Sequence, residues 1–193
     1  MRKFLVLLMC LLAASMVMAQ NQDREESLHK PLVDLDEDMF SPDKGFRGCD
    51  WRGRDNDDLD GETRPGVYAS PNGMIDNNCN GIYGWPAKGD KNYESLFCLG
   101  TGARGIVMFG DSAAAGFHIP KKAILEAGLT EKYLKLLFPT LENEFDWPQR
   151  SWSTGFDPKI NGESIYMKMR ERNRANHRDY QNLAVNGARA RHF

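Results

Sequence analysis

Two groups of side chains have the types and spacing that chemistry requires: alternating carboxylates and amides in the first half of the chain, and a serine closing an apolar run in the second. Asp34, Asp36 and Asp38 form the first acidic cluster, Asp55-Asn56-Asp57-Asp58-Leu59-Asp60-Gly61 the second, and Asp76-Asn77-Asn78-Cys79-Asn80-Gly81 the third. Alternate oxygen-bearing side chains before a glycine suit calcium. That ion takes about six to eight oxygens at roughly 2.3–2.6 Å, so the chain must wrap tightly around it. The second and third clusters are in phase at a 20-residue offset, with Asn56, Asp58, Asp60 and Gly61 falling on Asp76, Asn78, Asn80 and Gly81. Neither is a full EF-hand, because Val67 and Ala87 stand where the twelfth loop position needs a bidentate glutamate. Ligands would then come from several loops. Asp, Asn and Gly are also the commonest turn residues, and acidic clusters are often solvated surface. Three clusters between Asp34 and Gly81 favour a metal, and calcium over magnesium, which keeps its waters.

The serine follows Gly105-Ile106-Val107-Met108-Phe109, a short continuous apolar run of the kind found in strands buried on both faces. The run ends in Gly110-Asp111-Ser112, and the small residues Ala113-Ala114-Ala115-Gly116 come next. Strand, tight turn and helix place Ser112 at the carboxyl end of a strand, where open α/β sheets carry their sites. A serine so presented can act as a nucleophile, with nearby backbone N–H groups for an oxyanion. Serine is equally a good helix N-cap, and the triplet alone is unspecific. Beyond Pro120, the spacing of Ile124, Leu125, Leu129, Tyr133, Leu134, Leu137 and Phe138 predicts helical segments broken near Gly128.

The elements that must position these groups sit in a chain of 193 residues, 41% hydrophobic and 27% charged, with a formal charge of −2. That composition supports a sizeable core and excludes global disorder. It also argues against a protein dominated by nucleic-acid phosphates, which demand clustered Lys and Arg. Charge is nevertheless segregated: Asp34 to Asp60 holds 10 acids and 4 bases, and Arg150 to Phe193 holds 9 bases and 4 acids. Arg2-Lys3, the apolar run Phe4 to Leu12 and Val17-x-Ala19 read as a secretory signal peptide over residues 1–19, too short to span a bilayer. The expected compartment is secreted or the secretory or lysosomal lumen, and no other stretch has transmembrane length. Removing Cys10 with the leader leaves Cys49, Cys79 and Cys98, an odd number that suggests one disulfide and one thiol for another chain or a missing part of this one. Cys49–Cys79 and Cys79–Cys98 both remain open. Helix and strand patterns are weak from Gln20 to Leu96, so calcium and a disulfide would supply order there.

Gly110-Asp111-Ser112 after an apolar strand resembles the first motif of GDSL, or SGNH-type, ester hydrolases. The wider match is to the acyloxyacyl hydrolase family, carried in order by Asn80-Gly81-Ile82-Tyr83-Gly84, Arg104-Gly105-Ile106, Gly110-Asp111-Ser112-Ala113, Phe117-His118-Ile119, Asp146-Trp147-Pro148-Gln149 and Asn176 to Asn182. The resemblance implies a serine that attacks a secondary fatty acyl ester on lipid A of lipopolysaccharide, or a related lipid, and an acidic segment that binds calcium. Ser112 matches the nucleophile. Its own N–H and that of Gly187, in Asn186-Gly187-Ala188, match the oxyanion donors; such a donor is typically worth about two to three powers of ten in rate. His118 could shape the acyl or oxyanion pocket. The family usually has cysteine at the position of Asn56, which favours Asp55, Asp57, Asp58 and Asp60 as ligands; Cys49 offers a nearby thiol.

The family's later Gly-Asn-Asp and Asp-x-x-His-Pro motifs, which supply an oxyanion Asn and the catalytic histidine, are absent, as is its saposin-like domain. Each of His29, His118, His177 and His192 reads as an ordinary polar or surface histidine. The expectation is therefore a fragment of a longer enzyme, inactive as it stands. Its layout would be a linker over 20–32, an acidic calcium-binding segment over 33–98 and the first part of the hydrolase domain over 99–193. The fold class is α/β, a partial flavodoxin-like sheet. The basic residues Lys168, Arg170, Arg172, Arg174 and Arg178 either face lipid phosphates or form a solvated helix face. Two rivals stand beside the enzyme: a non-catalytic, calcium-dependent lipid-binding protein, and a calcium and disulfide scaffold without lipid contact.

Overall fold

A computed structural model describes residues 29–98, 104–119, 138, 140–158 and 164–188. The expected signal peptide over residues 1–19, His192 and the helical pattern expected from Ile124 to Leu137 lie outside the described residues. Strand β1 (Ile106–Met108) pairs in parallel with β2 (Tyr180–Asn182), Ile106 opposite Tyr180 and Met108 opposite Asn182. The parallel pairing runs on beyond the named strands, since Leu183 N–H donates to the Met108 carbonyl at 2.7 Å and Val185 N–H to that of Gly110 at 3.0 Å. This small parallel sheet with helices is compatible with the α/β class.

The acidic half is joined to this sheet. Arg52 forms an antiparallel bridge to Gln181; Gly53 N–H donates to the Tyr180 carbonyl at 2.9 Å, and Asn182 N–H to the Trp51 carbonyl at 2.7 Å. The chain at Trp51–Gly53 thus flanks β2 on the side away from β1. The core clusters at this junction: fully buried Trp51 packs with Ala114, Ala115 and Ala184, backed by Phe46 and Met108. Buried Arg47 closes it, its guanidinium 3.9 Å over the Trp51 ring and donating to the Ala184 carbonyl at 2.8 Å. A buried guanidinium needs partners for its charge and donors, and the aromatic face and the carbonyl supply part of them, while Nε makes no hydrogen bond among the described residues.

Two expectations change here. The apolar strand is not buried on both faces, because Val107 is 49% exposed and Ile106 and Met108 are half-buried. Its side chains are covered only where β2 and the core meet them. No disulfide joins Cys49, Cys79 and Cys98. Order in the acidic half comes instead from the sheet junction and from carboxylates accepting backbone N–H groups of their own turns.

Helix α1 (Tyr93–Cys98) is capped by Asn92, which accepts from Ser95 N–H at 2.8 Å. The four-residue helix α2 (Ser112–Ala115) follows β1. Helix α3 (Ile165–Arg172) is capped by Ser164, which accepts from Met167 N–H at 3.1 Å, and it carries Arg170 and Arg172 in its last turn, complementing its dipole. A 3-10 turn, Arg174–Asn176, leads from α3 toward β2. Among the described residues no helix is long and apolar enough to cross a membrane.

Candidate functional site

Ser112 opens α2 directly after the strand. Asp111 is the N-cap: its side chain accepts from Ala113 N–H at 3.0 Å and its carbonyl from Ala114 and Ala115 N–H at 3.0 Å each. Gly110 makes the turn possible, because a Cβ there would sit 2.5 Å from the Ala114 Cβ. The helix is pinned from below by two donors to the Ala114 carbonyl, Asn182 Nδ2 at 2.9 Å and Ser151 Oγ at 2.7 Å. Asn182, 1% exposed, also donates to Thr154 Oγ1 at 3.1 Å and accepts from Ala184 N–H at 3.0 Å.

The last ladder bond, from Val185 N–H to the Gly110 carbonyl at 3.0 Å, leaves Ser112 and Gly187 each two residues beyond it, at the carboxyl ends of the two paired strands. Gly187 holds φ +79°, a left-handed turn that glycine adopts without strain. Among the described residues, neither Ser112 N–H nor Gly187 N–H donates to any acceptor. Two unspent backbone donors at one strand end are the elements of an oxyanion hole.

No described side chain hydrogen-bonds the Ser112 hydroxyl. His118, exposed, is held through its backbone, its N–H donating to the Phe145 carbonyl at 3.0 Å and its carbonyl accepting from Trp147 Nε1 at 3.0 Å. His29 is lowered to about 4 by burial, then by the Arg47 and Arg52 charges; His177 is lowered to about 4 by burial, then by Arg170 and Arg178. Both rings are neutral at pH 7, and neither meets the serine.

The acidic residues form a second centre. Carboxylate oxygens of Asp34, Asp36 and Asp58 lie within 4.8 Å of one another, as do those of Asp36, Asp38 and Asp55. The first and second clusters therefore converge, with Asp36 shared. Positive φ at Glu37 and Met39, 61° and 75°, curls the loop so that Asp34 can accept from Asp38 N–H at 3.2 Å and Met39 N–H at 3.1 Å. Asp55 is 1% exposed, yet its Oδ2 has no hydrogen-bond partner, and neither do Asp36 Oδ2, Asp38 Oδ2 and Asp58 Oδ1. The nearest balancing charge to Asp38 is Arg64 Nε at 3.8 Å. Burial pushes Asp38 up to about 6, with repulsion from Asp36 and Asp55 adding to it; Asp36 and Asp55 are raised by burial first and by neighbouring aspartates after. Buried carboxylate oxygens crowded together without partners suit a hard cation, whose charge reverses that electrostatic penalty.

The remaining acidic candidates are engaged elsewhere. Asp57 is exposed; Asp60 accepts from Glu62 N–H at 3.2 Å and Thr63 Oγ1 at 3.0 Å. Asp76 accepts from Asn80 and Gly81 N–H at 3.0 Å each, and from Asn56 Nδ2 at 3.1 Å. Asn78 and Asn80 turn their amide nitrogens to Glu94, each at 3.1 Å. Sequence reasoning missed Glu94. Its only signal is a carboxylate in the first turn of a weak helix. Cys79, fully buried, places Sγ 4.0 Å from Asp55 Oδ1, and burial pushes its thiol up to about 12, which leaves it protonated and unreactive.

With this geometry in view, the chain is similar to three curated acyloxyacyl hydrolases. It is 44% identical to that of Oryctolagus cuniculus over 165 residues, 43% identical to that of Homo sapiens over 169, and 42% identical to that of Mus musculus over 168. The matches cover 83–84% of this chain and 29% of each relative, so the chain spans less than a third of their length. No family model matches the chain. The similarity found on separated motifs thus extends along most of the sequence.

Proposed function

We propose that this chain carries the nucleophile-bearing part of a secreted serine ester hydrolase of the acyloxyacyl hydrolase kind. Its substrate class would be the secondary fatty acyl esters of lipid A or a related lipid, and its fold the first part of an SGNH-type sheet. The observation that supports this best is the pair of unspent donors, Ser112 N–H and Gly187 N–H, each two residues past the last ladder bond at the carboxyl end of the parallel pair.

Ser112 Oγ would attack the ester carbonyl while its proton passes to a base. The carbonyl oxygen would gather negative charge against the two N–H groups, the alcohol would leave with a proton, and water would then release the fatty acid from the serine ester. No described side chain hydrogen-bonds the Ser112 hydroxyl, so the base would be supplied by another part of the full enzyme. Calcium, when bound, would neutralise Asp34, Asp36, Asp38, Asp55 and Asp58 and cross-link their loops. These loops meet the sheet through Arg52, whose Nη1 donates to the Met39 carbonyl at 2.7 Å. A second reading, a calcium-dependent lipid-binding protein without catalysis, is favoured by the lack of any described histidine on the Ser112 hydroxyl.

A chimera separates them. This chain would replace the matching 29% of the human relative, and release of secondary acyl chains from lipopolysaccharide would be assayed. The hydrolase reading predicts release by the chimera and none by its Ser112→Ala form. A folded, calcium-binding chimera that binds lipid but releases no acid supports the binder.

A further inference from the structure

The opposite end of the sheet carries an open groove of about 660 Å³ between α3, the 3-10 turn Arg174–Asn176 and the loop at Asn80–Ile82. Asn176 fixes its place. Its Oδ1 accepts from Arg104 N–H at 3.3 Å, just before β1, and its Nδ2 donates to the Met169 carbonyl at 3.2 Å in α3. The turn therefore lies at the amino ends of both strands, whereas Ser112 lies at their carboxyl ends.

Lys168, Arg170, Arg174, His177 and one acid, Glu171, line the groove. Among the described residues, neither Arg170 nor Arg174 makes a side-chain hydrogen bond or ion pair. Arg178 nearby shows the contrast, donating to Asn56 Oδ1 at 2.6 Å and the Arg54 carbonyl at 3.4 Å. On the facing wall, Glu94 is turned onto the Asn80 amide, which donates to both its carboxylate oxygens at 3.1 Å. His177 Nδ1 is buried without a partner. The Asn173 cap breaks the helix, so the two guanidinium groups reach the groove from different elements.

We propose that this groove binds a phosphate group, with Arg170 and Arg174 as its anchors. A planar guanidinium offers parallel N–H donors to two oxygens of one phosphate, and two such forks with no acceptor among the described residues offer that capacity to a ligand. The neutral His177 ring adds a polar contact without opposing charge. The inference does not rest on the hydrolase reading, because it concerns the other end of the sheet.

The test is an NMR titration of the arginine side-chain N–H resonances of the full chain with glucose 1-phosphate, a soluble phosphomonoester. Co-sedimentation with vesicles of equal parts phosphatidylcholine and phosphatidylglycerol forms the second arm. Both are repeated on the Arg170→Gln, Arg174→Gln double variant; both residues are exposed, so its melting temperature should match the parent. Saturable glucose 1-phosphate binding, weakened about ten-fold or more in the variant, supports a site for soluble phosphates. Vesicle binding alone, lost in the variant, supports a lipid headgroup. Absence of both, or binding equal in parent and variant, overturns the proposal.

Discussion

The side-chain amide of Asn182 donates to the Ala114 carbonyl at 2.9 Å, tying the strand that leads to Gly187 to the helix that begins with Ser112. One buried amide thus links the two segments that carry the candidate nucleophile and its candidate oxyanion donor. Asn182→Ala removes bonds to Ala114, Thr154 and Ala184 in a site 1% exposed. The expected cost is about 2–4 kcal/mol, since Ala184 N–H is left without its acceptor. Urea unfolding of the two proteins measures it.

Trp51 anchors the junction between the acidic half and the sheet, fully buried and under the Arg47 guanidinium. Trp51→Ala should cost about 3–5 kcal/mol, because the cavity opens in the core and the Arg47 charge loses its aromatic face. Unfolding midpoints by circular dichroism give the result; a loss under about 1 kcal/mol contradicts this role.

Calcium should raise the melting temperature and a chelator should reverse the gain. Asp36 belongs to both carboxylate groups, so Asp36→Asn is expected to weaken calcium binding by at least about ten-fold, and Asp60→Asn, whose oxygens serve a local turn, to change it little. Isothermal titration separates the two variants.

Without calcium, pH should act on the same centre with a definite sign. Asp38 is raised to about 6 in the folded chain, so between pH 4 and 6 the folded state binds more protons than the unfolded one, and stability falls as pH rises through that window. Bound cation favours the ionised carboxylate and should flatten or reverse the slope. Thermal melts across pH 4 to 7, with and without calcium, show it.

Asp146 predicts a second, calcium-independent slope. It is 3% exposed, neither carboxylate oxygen has a hydrogen-bond partner, and burial pushes it up to about 7 against the pull of Arg47. Stability is again lost as pH rises toward 7, and Asp146→Asn should remove that part of the slope. The slope of unfolding free energy against pH in chelator decides it.

The strand, turn and helix around Ser112 were legible because apolar run, glycine, N-capping aspartate and small residues are local signals that agree with one another. Asp34, Asp36 and Asp38 were legible as a cluster for the same reason. Their convergence with Asp55 and Asp58 was not, because it depends on the turn at Glu37 and Met39 and on the bridge from Ser41 to Arg54. The 20-residue phase of the second and third clusters did not foretell their different partners: Asp76 accepts from turn amides, and Asn78 and Asn80 donate to Glu94. Trp51–Gly53 along β2 left no pattern in the sequence; three residues, the last of them glycine, carry too little periodicity to read as a strand.

The most direct measurement is peptide mass spectrometry of the chimera after reaction with a long-chain alkyl fluorophosphonate, which traps a serine activated for acyl transfer. A single adduct on Ser112, blocked by prior acyl substrate, is the predicted result. An adduct on another residue, or none from a chimera that is folded and calcium-loaded, contradicts the assignment of Ser112 as the nucleophile.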